Sequence, residues 1–379
     1  MSRSRSGARA TGSHGVAGRG SVVDAPSPAR TSAPPAPPGD WLFRGSDGRL
    51  TAYAPAADGL MRWTEAPGQH GWLEPDVIAV PGWAGRAAMA QTSEGYVHFA
   101  ALRRAPAGTG APEVVVATQF QSGRGLTDWR SLGVPGDGVS AGPVIAVNQV
   151  SGTVHVLVSL RAGGILRCSR NAEGGWGRWK AVTPDPYTGD LLAVMPHGGP
   201  LEIIAVGAAG VDRWVGVANG RFELRDRLRT PVVDGTPTAL ETGARRATYF
   251  WRYPGDDSLV AWRPGAQAQQ DGGLLPVGGA AGSGRAGAAR ALVGGFDCTV
   301  LAQPGADGSI EVTAYVTENE SYGTWWAPLG GARAYAPQVA VDSAGRIVVA
   351  ALDGTGGILM ARQDTAQQGL AFEGWSPVG

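Results

Sequence analysis

Lysine is almost missing from this sequence: of 32 basic residues only Lys180 is one, and the others are arginines. That leaves little room for Schiff-base chemistry, which needs a lysine amine. Cysteine is equally scarce. Cys168 and Cys298 are the two present, too few for a disulfide scaffold and too far apart in the repeat order described below to be expected as a bridge. Charge of either sign is not in excess, since 32 basic residues balance 32 acidic ones. A nucleic-acid partner, which demands a basic face, is therefore not expected. No run approaches 18 apolar residues, so no membrane-spanning helix is expected. Nor is there a Gly-x-Ser-x-Gly elbow, a His-Glu-x-x-His pair or a Walker loop. What the chain has instead is 60 glycines, 27 prolines and 13 tryptophans among 43% apolar residues. Turn-forming residues at that density, without long helical periods, suit an all-β protein.

Residues 1 to 40 differ from all that follows. Ser, Gly, Ala, Arg and Pro dominate, and Val22-Val23 is the only hydrophobic pair. Such a composition cannot bury enough apolar surface to offset chain entropy, so a disordered tail is expected, ending in the stiff spacer Pro34-Pro-Ala-Pro-Pro38. Five arginines against Asp24 and Asp40 leave it net positive. The apolar core of a secretory signal is absent, which points to the cytoplasm, with non-classical export or packaging as the sharper reading of the tail.

From Trp41 onward the chain repeats. Ala332 to Gly379 is its cleanest unit: Tyr335 to Arg346, Ile347 to Gly354, Ile358 to Gln363 and Phe372 to Gly379 are four short apolar or alternating runs separated by glycine clusters. Runs of this length bounded by such turns predict antiparallel strands joined by hairpins. Unit ends are marked by Trp129-Arg-Ser-Leu132, Trp179-Lys-Ala-Val182, Leu274-Leu-Pro-Val277, Trp326-Ala-Pro-Leu329 and Trp375-Ser-Pro-Val378, with Trp72 and Phe222 marking weaker copies. Seven markers spaced by about 50 residues predict seven four-stranded propeller blades, at 41–82, 83–136, 137–184, 185–233, 234–279, 280–331 and 332–379. A third-strand register recurs in five units: Leu60-Met-Arg-Trp63, Ile165-Leu-Arg-Cys168, Val211-Asp-Arg-Trp214, Leu259-Val-Ala-Trp262 and Ile358-Leu-Met-Ala361. Because the first unit already supplies four strands, closure is expected from docking of the first and last blades.

At Trp176-Gly-Arg-Trp179, Phe372-Glu-Gly-Trp375, Asp47-Gly-Arg-Leu50 and Gly59-Leu-Met-Arg-Trp63 the unit resembles the repeat of bacterial fucose-binding seven-bladed propeller lectins, relatives of the tectonin-like propellers. The resemblance covers residues 41 to 379 and implies an all-β, seven-bladed propeller with ligand pockets between neighbouring blades. Aromatic rings offer flat apolar faces to a sugar, while Arg, Asp or amides orient its hydroxyls. By position the resemblance points to Trp63, Trp214 and Trp262 as ligand-binding residues, with Trp176 and Trp325 behind them. Packing of blade on blade is the competing use of every one of these rings.

A second-strand column reads Thr51, His98, His155, Glu202, Thr248, Val300 and Val348. It lacks local metal-ligand spacing, so hydrogen-bonded packing or a polar pocket wall is the reading, and no metal or cofactor is expected. Gly282-Ser-Gly284-Arg-Ala-Gly287 has dinucleotide-binding spacing, but lies among turn-rich strands without the helix that motif requires. The Ser-x-Asp-x-Gly-x-x-Trp turn of sialidase-like propellers is absent, though Asp256-Asp257, Glu202 and Glu311 leave carboxylates that distant blades could bring together. The expected function is accordingly a lectin-like binding module, monomeric or weakly oligomeric. The alternatives are a protein interaction platform, carried as secretion cargo, and a lyase or hydrolase working at the central opening.

Overall fold

The computed structural model of the chain describes residues 37–379, apart from 70, 106–109, 172, 188, 266–272, 280–281 and 321–322. These residues form seven antiparallel sheets of four strands, spanning 42–79, 83–131, 144–183, 191–228, 238–278, 287–328 and 335–378. Each sheet is drawn from consecutive chain and lies inside one of the seven expected intervals. The protein is a seven-bladed β-propeller. Among the described residues there is no α-helix; three-residue 3-10 turns stand at Pro67–Gln69 and Ala218–Gly220. Among the described residues no helix is long and apolar enough to cross a membrane.

Burial explains why each blade reads as it does. The second strand of a blade is covered on both faces by its neighbours, so Val154–Ser159 and Ile347–Leu352 are continuously buried, and Ile347–Leu352 is continuously apolar rather than alternating. Fourth strands lie outermost and carry the charge: Phe222–Leu228 has no buried residue. Hairpins are set by side chains that bond back onto their own turns. Asp342 Oδ1 accepts from the N–H groups of Ala344 and Arg346, both at 2.9 Å, while Gly345 supplies the left-handed φ of 80° that the turn requires.

The first and last blades dock without sharing a strand, as expected. Trp41 Nε1 donates to Ala336 O at 3.1 Å, and Arg44 Nη1 to Asp342 O at 2.9 Å. Arg362 holds both the buried carboxylate of Asp342, 3.0 Å away, and that of Glu65 in blade 1, at 2.6 Å. Elsewhere indoles just before the fourth strands stitch neighbours together. Trp129 Nε1 donates to Ala79 O at 2.9 Å, Trp179 to Leu132 O at 2.8 Å and Trp326 to Val277 O at 2.9 Å.

Residues 37–40, expected as the end of the tail, lie within the described structure. Pro37 is buried, and Arg285 Nη1 donates to Pro38 O at 2.6 Å. The remainder of the tail expectation, residues 1–36, lies outside the described residues. Cys168 and Cys298 are buried free thiols in blades 3 and 6. The glycine run at 282–287 leads into the strand Gly287–Val293 and opens no helix.

Candidate functional site

The tryptophans singled out by sequence have different surroundings. Trp63 and Trp262 are only 5% and 4% exposed. Trp262 packs against Tyr249 and Trp251, with ring centroids 5.7 and 6.2 Å away. Trp63 lies so close to Gly379 that a Cβ there would sit 3.3 Å from its ring, which is why the glycine fits. Neither ring turns a face to solvent for a sugar to stack on; both are placed as packing between blades. Trp214 is half-buried between blades 3 and 4, where Nε1 donates to Tyr187 Oη at 2.8 Å and that hydroxyl donates to Asp212 at 2.9 Å. Trp325 is 76% exposed on blade 6. Trp176 is half-buried against the cluster between blades 2 and 3.

A column of aromatics that sequence reading did not assemble runs through four blades. Just beyond the third strand, Glu65 pairs with Trp72, Arg170 with Trp176 and Gln363 with Phe372 as isolated bridges, and Gly216 pairs with Phe222 at the same register. Trp72 and Phe222, read as unit-end markers, therefore stand where Trp176 stands and not where Trp179 does. The offset of three residues leaves the blade count intact. The signal for it was the Trp-x-x-Trp and Phe-x-x-Trp spacing in blades 3 and 7.

In blade 3 this column opens into a groove of about 550 Å³ lined by Thr153, Ser169, Arg170, Asn171, Glu173 and Trp176 with intervening glycines. The groove is built by its turn. Asn171 Oδ1 accepts from Gly175 N at 2.6 Å, and Gly174, at φ 86°, lets the chain fold back beneath Arg170. An indole, a guanidinium, a carboxylate and an amide thus line one groove, a set of groups able to pack on an apolar ring face while hydrogen-bonding its hydroxyls.

The second-strand polar column is structural. His98 Nδ1 lies 2.8 Å from Thr118 Oγ1, and His155 Nδ1 lies 2.9 Å from Ser169 Oγ. Burial lowers both imidazoles to a pKa of about 4, so they are neutral at ordinary pH. Glu202 accepts from Arg213 at 2.6 Å and from Tyr249 Oη of the next blade at 2.5 Å. Among the described residues no group of three His, Cys, Asp or Glu side chains is arranged to hold a metal.

The central channel contains a cavity of about 680 Å³ with walls from all seven blades, and Pro37, Pro38 and Gly39 lie in it. Its charged lining is Arg86, Arg285 and Asp190, the last held near Gly235 N at 2.5 Å. Burial raises the Asp190 pKa. Of the four carboxylates considered for an acidic pair, three are engaged elsewhere: Glu202 as above, Glu311 with Gln303 at 3.3 Å, and Asp256 with Ser258 N at 3.0 Å.

No protein-family model and no curated protein matches the sequence. In three dimensions the chain is similar to the BP39L lectin from Burkholderia pseudomallei, with a TM-score of 0.70 at 15% identity over 90% of this chain and 98% of that one. It is also similar to a putative 6-phosphogluconolactonase from Bacteroides uniformis, with a TM-score of 0.56 at 12% identity over 89% and 97%. AofleA from Arthrobotrys oligospora follows at 0.52 and 8% identity over 91% and 95%. At these identities the likeness establishes the propeller fold, which carries binding proteins and enzymes alike.

Proposed function

We propose that this propeller is a carbohydrate-binding, lectin-like module whose ligand stacks on an aromatic at the groove beyond the third strand. The observation that carries the reading is the blade 3 groove, which Trp176 lines together with Arg170, Asn171 and Glu173. The similarity to a propeller named as a lectin supports it, as does recurrence of an aromatic at the equivalent position in blades 1, 4 and 7. A saccharide held by so few groups binds weakly at each site, and repeated blades supply avidity. The test is retention on a glycan array by the intact protein and by Trp176→Ala. Retention lost in the variant at unchanged melting temperature supports the reading, and no retention by the wild type overturns it.

Blade 6 favours a second reading, an interaction platform for another protein. Leu292 and Phe296 flank one hairpin turn at 69% and 64% exposure, and Trp325 is exposed on the same blade. That reading takes over if the array shows no glycan.

A further inference from the structure

One column of the ring changes sign between blades. In blade 1, Arg62 on the third strand stands opposite Asp76 on the fourth and bonds it at 2.8 Å. In blade 4, Arg213 faces Asp226 across the same pair of strands and bonds it at 2.6 Å. In blade 3 the equivalent arginine is Arg167, and the residue opposite is Lys180, the only lysine of the chain. Like charges directly opposite on adjacent strands repel, so this pair costs stability where its counterparts gain it. Arg167 makes no ion pair or hydrogen bond to the described residues; its guanidinium carbon lies over the Phe222 ring of blade 4, 5.2 Å from the centroid. Its end also approaches Gly220 closely, since a Cβ there would lie 3.3 Å from Nη2. Phe222 is the blade 4 member of the aromatic column, and half-buried Trp214 packs into the same cluster between the two blades. Burial lowers the guanidinium pKa, as expected of a cation held half out of water without a counter-charge.

We infer that the paired Arg167 and Lys180 of blade 3, beside Phe222 of blade 4, form a site for an acidic saccharide, whose carboxylate or sulfate ester takes the place against them that Asp76 and Asp226 fill in blades 1 and 4. The inference rests on the carbohydrate-binding reading and adds the ligand's charge and a second position. An anionic group there would accept the forked N–H donors of Arg167, gain the Lys180 ammonium as a second positive neighbour and relieve their mutual repulsion. Phe222 would orient the guanidinium from below through its ring face.

The test compares retention of wild type, Arg167→Gln and Lys180→Asp on immobilised oligosaccharides of three kinds: neutral, uronate-bearing and sulfated. Lys180→Asp rebuilds the arrangement of blades 1 and 4, so it should fold at least as well as wild type while supplying the missing anion from within. Both variants should lose acidic-saccharide affinity by about tenfold or more, and wild-type retention should fall as salt rises. The uronate and sulfate arms identify which anion is taken. If neutral saccharides are retained and acidic ones gain nothing over them, the inference fails and the lectin reading stands. The same holds if Lys180→Asp leaves acidic retention unchanged. If wild type retains none of the three, both fail.

Discussion

The indole nitrogen of Trp179 lies 2.8 Å from the carbonyl oxygen of Leu132 and ties the outer edge of blade 3 to that of blade 2. The bond shows what the tryptophan just before the fourth strand does in three of the blades, whereas the Trp375 indole nitrogen of blade 7 is buried without such a partner. Trp179 fills the gap between neighbouring sheets with its rings and satisfies a backbone acceptor across that gap, as Trp129 and Trp326 do in blades 2 and 6.

Trp179→Phe keeps most of the packing and removes only the donor. The expected loss is about 1 kcal/mol, the net worth of one such bond, read as a lower denaturant midpoint at unchanged slope. An unchanged midpoint would mean that the rings, not the bond, join the blades.

The two classes of tryptophan should separate in a single thermal melt. Trp63→Ala and Trp262→Ala open cavities beneath fully covered rings and should cost about 3 to 5 kcal/mol, enough to depress expression. Trp176→Ala, at a half-buried rim position, should shift the melting temperature far less. If Trp63→Ala proves as mild as Trp176→Ala, its burial carries no packing weight.

Ring closure makes a further prediction. Among the described residues Arg362 is the one guanidinium bonding both Asp342 and Glu65, whose carboxylates are 0% and 1% exposed. Arg362→Met should leave the buried Glu65 carboxylate without its cation, while Asp342 keeps Arg346 at 2.9 Å, and should cost about 3 kcal/mol. Hydrogen exchange should rise first at the seam between blades 7 and 1. Uniform exchange around the ring would show that closure is carried elsewhere.

Acid should weaken the fold through its two buried histidines. His98 and His155 are held to a pKa of about 4 by burial, with Arg170 and Arg167 respectively adding repulsion. The folded values lie below the unfolded one, so the unfolded chain takes up protons first as pH falls. Stability is therefore full above about pH 6.5 and is lost between there and about pH 4, by roughly 2 to 3 kcal/mol for each ring. Urea midpoints at pH 7, 5 and 4 should fall more steeply for wild type than for His98→Asn/His155→Asn. Equal slopes would place the acid sensitivity in the carboxylates instead.

Blade number and strand order were legible because a blade is a local object. Its four strands are consecutive, and runs such as Ile347–Leu352 declare burial on both faces through their composition. The column His98, His155, Glu202 was legible as hydrogen-bonded packing or a polar pocket wall for the same reason, being set by position along the second strand of each blade, and the structure has the packing. The roles of individual tryptophans were not. Trp63 and Trp214 share a register, yet one is covered and the other half open, because the neighbouring blade supplies the cover. The aromatic column of Trp72, Trp176, Phe222 and Phe372 was hidden because loop lengths differ between third and fourth strands, and only cross-strand pairing aligns it. The exchange of Asp for Lys180 opposite Arg167 is likewise invisible until the strands are paired.

The central claim is that the rim groove at Trp176 holds a sugar, and one measurement addresses it most directly: glycan-array retention of the wild type beside Trp176→Ala, with the melting temperatures of both recorded. Carbohydrate binding predicts selective retention by the wild type, and its loss in a variant that melts at the same temperature. A wild type that retains no glycan, or a folded Trp176→Ala that retains the same glycans equally well, would contradict it.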